Sequence, residues 1–83
     1  MTTKESNKIK KELHGDYNVY FKSKTGELRV RVYTYYKDYD KEYEKKRICE
    51  LLNRVSASGH RPKFEIDHKT YQGFIYQTFV VFQ

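Results

Sequence analysis

Residues 27–36 read ELRVRVYTYY, and the alternation in that stretch constrains the fold more than any other feature. Leu28, Val30, Val32 and Thr34 fall on one side, with Arg29, Arg31, Tyr33 and Tyr35 on the other. Successive side chains of an extended chain leave opposite faces, so this period of two predicts a half-buried strand. The polar side is the unusual one, with two arginines followed by two tyrosines. It predicts a sheet face that is both cationic and aromatic.

The flanking segments supply partners for that strand. Tyr17 to Lys22 alternates as well, with Tyr17, Val19 and Phe21 against Asn18, Tyr20 and Lys22. Ser23-Lys24-Thr25-Gly26 separates the two runs, and Gly26 suits the positive φ of a tight hairpin turn. Upstream, Thr2 and Glu5 fit a capping box that opens a short helix to about Leu13. Its apolar stripe is only Ile9 and Leu13, which predicts a weakly docked, fraying element closed by Gly15. Lys37 to Val55 reads as the main helix, capped by Asp38 or Asp40, with Ile48, Leu51, Leu52 and Val55 as its core stripe. Gly59 ends it. Lys63 to Asp67 is a third strand with Phe64 and Ile66 inward, His68 to Gly73 a turn, and Phe74 to Phe82 a last strand, apolar on both sides. The order is helix, hairpin, helix, hairpin (αββαββ). These elements predict an α+β fold in one domain, 1–83: a four-stranded antiparallel sheet with the helices on one face.

A two-sided apolar strand is either central in its sheet or part of an interface. Phe74–Phe82 is therefore also a candidate homodimer contact, since a chain of 83 residues has a small core and gains stability from association. Disulfides within the chain are excluded, because Cys49 is the single cysteine. Its place beside Ile48 predicts a small core hydrophobe. A lone thiol, no membrane-length apolar run and no secretory signal predict a soluble cytoplasmic, intracellular protein.

The net charge is +6, unevenly spread. Residues 1–13 carry four lysines against two acids, and residues 22–31 four cations against Glu27, whereas residues 37–54 are nearly balanced. A clustered positive field attracts nucleic acid or acidic protein surfaces. Phosphates are held by cations and bases by aromatic rings, so Arg29, Arg31, Tyr33, Tyr35, Tyr20, Lys22 and Lys24 form a candidate nucleic-acid face. Lys4, Lys8 and Lys11, which share one side of the first helix, would assist. The rival expectation is a protein-interaction factor of the kind small viruses and phages encode, an inhibitor or adaptor that turns the same face toward an acidic host protein. Nine tyrosines and no tryptophan suit either partner. Of these, Tyr17 and Tyr36 are assigned to the core.

Catalysis is not expected. Glu65, Asp67 and Lys69 share a strand side and form an acid-x-Lys pattern, but a further acid that a metal-dependent nuclease needs has no candidate. His14, His60 and His68 lack metal-ligand spacing with Cys49 or one another, and no glycine-rich phosphate loop occurs. The expectation is a binding protein with no cofactor and no metal.

Overall fold

The computed structural model describes residues 1–35 and 38–83. The element order is α1 (Thr3–Glu12), β1 (Asn18–Lys22), β2 (Glu27–Thr34), α2 (Lys41–Ala57), β3 (Phe64–Tyr71) and β4 (Phe74–Phe82). Both helices start on side-chain caps. Thr2 accepts from the backbone N–H of Glu5, and Asp40 accepts from that of Tyr43 at 3.0 Å. The four strands form one antiparallel sheet in the order β1-β2-β4-β3. α2 begins at Lys41, and the helix start expected at Lys37 and the core role expected for Tyr36 lie outside the described residues.

One face of the sheet meets both helices. Leu28, Val30 and Val32 of β2 and Val80 and Phe82 of β4 are buried against Ile9 and Leu13 from the α1 end and Leu51 and Val55 of α2. Tyr17, Val19 and Phe21 close the β1 margin of this core. The first helix is thus docked, not fraying. Its two apolar residues are fully buried, Ser6 is buried beside them, and Arg54 of α2 donates to the carbonyl of Glu12 at its C-terminal end. Two well-placed side chains suffice because both are removed entirely from water, at about 1.5–3 kcal/mol each.

β4 runs between β2 and β3, so its backbone is paired on both sides within the chain. Its two-sided apolarity accompanies that central place. Thr78, Val80 and Phe82 face the helices, while Phe79 and Val81 lie on the other face and are also buried. Arg29 lies over the Phe79 ring, its guanidinium carbon 5.1 Å from the ring centre.

Three expectations are corrected by the geometry. First, the alternation of β2 breaks. Arg31 stands opposite Phe79 and Tyr33 opposite Thr78, which leaves Val32 as an extra residue in a bulge. One extra residue reverses which face every later side chain takes. Tyr33 and Tyr35 therefore leave the arginine face and turn to the helix side. Second, the turn expected over His68–Gly73 is only Gln72 and Gly73, both at positive φ, and β3 continues to Tyr71. α2 meets this edge strand at His68 but leaves its start uncovered, so Phe64 and Ile66 face the helix side yet remain 44% and 38% exposed. Third, Cys49 is exposed, because Ile48 takes the inward direction and the next residue points about 100° further round the helix. No helix among the described residues is long and apolar enough to cross a membrane.

Candidate functional site

β1 begins at Asn18, opposite Arg31, so β2 beyond Arg31 has no strand on that flank. The bulge brings Tyr33 round to the helix side at this same point, and α2 crosses β2 above it. The result is an open cleft of about 600 Å³ whose walls include His14, Tyr17, Arg31, Tyr33, Tyr43 and Arg47. Smaller clefts continue it past Lys10 and His14 on one side and past Arg54 on the other, with Tyr17 common to all. A basic, aromatic groove thus runs between β1, β2 and α2.

The arginines of the groove are set by different means. Arg47 donates through Nε to the carbonyl of Val32 at 3.0 Å, which satisfies a backbone group at the bulge. Its guanidinium lies over the Tyr17 ring at 4.7 Å, with Glu50 3.6 Å from Nη1. Arg54 lies on the same ring at 5.8 Å and bonds Asp16 at 2.5 Å. Stacking and a backbone bond leave part of a guanidinium's five-donor fork available, whereas a carboxylate occupies it. Arg31 has no ion-pair partner among the described residues.

A ladder of rings runs from the groove into the protein. Tyr43 meets Tyr33 at 4.6 Å between ring centres, Tyr33 meets Tyr35 at 4.1 Å, Tyr35 meets Tyr39 at 5.1 Å, and Tyr39 meets His68 at 5.9 Å. The ladder ends on Glu44, a carboxylate buried near the start of α2. Glu44 accepts from the Tyr39 hydroxyl at 2.6 Å, from Nε2 of His68 at 2.7 Å and from the Thr78 hydroxyl at 2.8 Å. Burial alone would raise the Glu44 pKa, but these donors outweigh it and hold the carboxyl below its ordinary value. The same contacts work in the opposite sense on the phenols. Burial, then the hydrogen bond to Glu44 and its negative charge, push Tyr39 up to about 12. Tyr35 is raised too, by burial first and by Glu44 after it. The network is a brace: α2, β3 and β4 all contribute to it, and it fixes the Tyr33 and Tyr43 rings at the groove.

The sequence-predicted face is divided by this geometry. Tyr20, Lys22 and Arg29 do share the open face of the sheet, away from the helices, and Arg31 leaves β2 in phase with them but at the end of the β1 pairing, where it also lines the cleft. Arg29 is tied down on the open face by an ion pair with Asp67, whose carboxyl the guanidinium holds below its usual range. Glu27, Glu65 and Asp67 stand on that face with the cations, so it is nearly neutral. Lys69 completes the acid-x-Lys pattern with its Nζ 3.9 Å from Asp67. Lys24 is exposed in the β1–β2 turn. Lys4, Lys8 and Lys11 are exposed on the side of α1 opposite Ser6, Ile9 and Leu13. Tyr33 contributes to the groove instead, and Tyr35 is buried beneath it.

Sequence reading missed Arg47 and Tyr17 as groove residues and Glu44 and His68 as the brace behind the rings. One signal was present. Tyr43, Arg47, Glu50 and Arg54 recur at steps of four, three and four, a single face of α2. Comparison with protein-family models, with curated proteins and with solved structures finds no match to this chain.

Proposed function

We propose that the chain is a non-enzymatic nucleic-acid-binding module, and that single-stranded nucleic acid lies in the groove between β1, β2 and α2. The observation that carries this reading is the convergence of Arg31 and Arg47 with the Tyr17, Tyr33 and Tyr43 rings on one open cleft. Cations along a groove neutralise phosphates, and rings held by a rigid brace accept bases by stacking without selecting among them. Arg31 and Arg47 take the phosphates, Tyr33 and Tyr43 the bases. Lys10, the open-face Lys22 and the α1 lysines add a broader positive field around the track.

The test is fluorescence anisotropy of labelled single- and double-stranded oligonucleotides at several salt concentrations. Arg31→Ala should lower the slope of log affinity against log salt by about 0.7 for the phosphate it releases. Tyr43→Ala should weaken binding by about 1–3 kcal/mol with the slope unchanged. Arg29→Ala, away from the cleft and already paired with Asp67, should change neither. No binding at low salt, or a slope indifferent to Arg31, overturns the reading.

A second reading is an acidic protein as partner. What favours it is the β3–β4 hairpin tip, where Tyr71 and Phe74 are 68% and 75% exposed. Large exposed aromatics are more typical of protein contacts than of solvated turns. Loss of partner capture on Tyr71→Ser with Phe74→Ser, without loss of oligonucleotide binding, would assign the tip to a protein.

A further inference from the structure

We infer that β3 is a self-association edge, on which a second copy of this chain adds its own β3 antiparallel to make a continuous eight-stranded sheet. β3 is eight residues long, against five for β1 at the other edge. The backbone N–H of Gln83 donates to the carbonyl of Lys63, directly opposite it, so the odd-numbered residues of β3 turn their backbone groups toward β4. Phe64, Ile66 and His68 consequently point theirs outward, a row of donors and acceptors without a strand partner. Native edges of this length are normally covered or blunted. Here the side chains on the helix side of the same residues, Phe64 and Ile66, are exposed apolar groups.

The charges on the other side of β3 say which strand fits. The acids, Glu65 and Asp67, precede the base, Lys69, so an antiparallel copy sets the basic end of one strand against the acidic end of the other. In the register centred on Asp67, Glu65 faces the partner's Lys69 twice, once on each side of a two-fold axis. Ile66 falls opposite the partner's His68, and the two Ile66 side chains become diagonal neighbours. Asp67 lies on the axis, but its carboxylate is drawn back across β4 by Arg29 and so away from the seam. A second copy therefore meets three needs at once: the outward backbone groups, the exposed apolar side chains and the charge order. The β4 segment, flanked by strands on both sides, offers no such edge.

Sedimentation velocity over a range of protein concentrations tests this. The expected result is a monomer–dimer equilibrium. Ile66→Pro removes an N–H that the single chain does not use, and it should leave the circular dichroism spectrum in place while abolishing the dimer. Glu65→Lys should weaken the dimer by about tenfold, and adding Lys69→Glu to it should restore the dimer. Within one chain those two residues are four apart along an extended strand, roughly 13 Å, so rescue reads a contact between copies. A monomer at all concentrations overturns the inference, and so does a dimer indifferent to both Ile66→Pro and the charge reversal. Should the proline variant fail to fold, the charge reversal and its rescue decide the matter.

Discussion

Arg29 and Arg31 stand two residues apart on the same strand, yet they belong to different regions. Arg29 lies over the Phe79 ring on the open sheet face and is neutralised by Asp67. Arg31 reaches the end of the β1–β2 pairing and opens onto the groove, where Arg47 and three tyrosines are its neighbours. The open face has its cations interleaved with acids and covers its own apolar strip with them. The groove has Arg31, with no ion-pair partner among the described residues, beside Arg47, whose contact with Glu50 is a long 3.6 Å, and it has rings held from behind. Residue type alone does not make a binding surface: what separates Arg31 from Arg29 is that the charge of Arg29 already has a partner.

The largest effect that would break this contrast is removal of the brace. Glu44→Ala leaves the buried Thr78 hydroxyl and the partly buried Tyr39 and His68 donors without their acceptor and should cost about 2 kcal/mol in urea denaturation, with oligonucleotide affinity falling as well. Equal stability in the variant would show that the ladder stands without it.

The pH dependence sharpens the same point. The folded pKa of Glu44 is lowered, so its contribution is present above the ordinary 4.5 and is lost as pH falls through the depressed value. The folded pKa of Tyr39 is raised, so its contribution is present below 10.0 and is lost as pH rises toward about 12. Near-ultraviolet circular dichroism should show the tyrosine environment failing at both ends, and Tyr39→Phe should remove part of the alkaline loss. An alkaline limb unchanged by that variant would detach Tyr39 from the brace.

The smallest effect belongs to the open face. Asp67→Asn breaks a half-exposed ion pair and should cost less than about 1 kcal/mol, lost in any case in acid as the depressed Asp67 titrates. It frees Arg29, so a gain in nucleic-acid binding in this variant would show that neutralisation is what keeps the open face quiet.

How much of this was readable in advance follows from how local each cause is. Caps are local: Thr2 with Glu5 marks the start of α1, whereas Asp38 and Asp40 both offer a cap for α2 and Asp40 takes it, so that helix starts later than its charged run suggests. The alternation of Leu28, Val30 and Val32 gives the buried side of β2 correctly because each is judged against its immediate neighbours. The bulge is not local. Val32 looks like the next regular position, and only the pairing with β4 makes it an extra one. His68 to Tyr71 reads as a turn because this end of an edge strand is exposed and carries no apolar alternation. Glu44 sits in a helix so rich in charge that nothing marks it as buried, since its partners come from residues 39, 68 and 78.

The bulge at Val32 also changes how tolerant each position of β2 should be to replacement. Before it, the even-numbered residues are constrained by the core and the odd ones are comparatively free. After it the phase inverts, and Tyr33 and Tyr35 inherit the constraint while Thr34 loses it. Closing the bulge without removing a residue, so that Val32 pairs with Thr78, would leave composition and charge untouched and yet exchange the two surfaces of the strand end, sending the rings to the open face and emptying the groove.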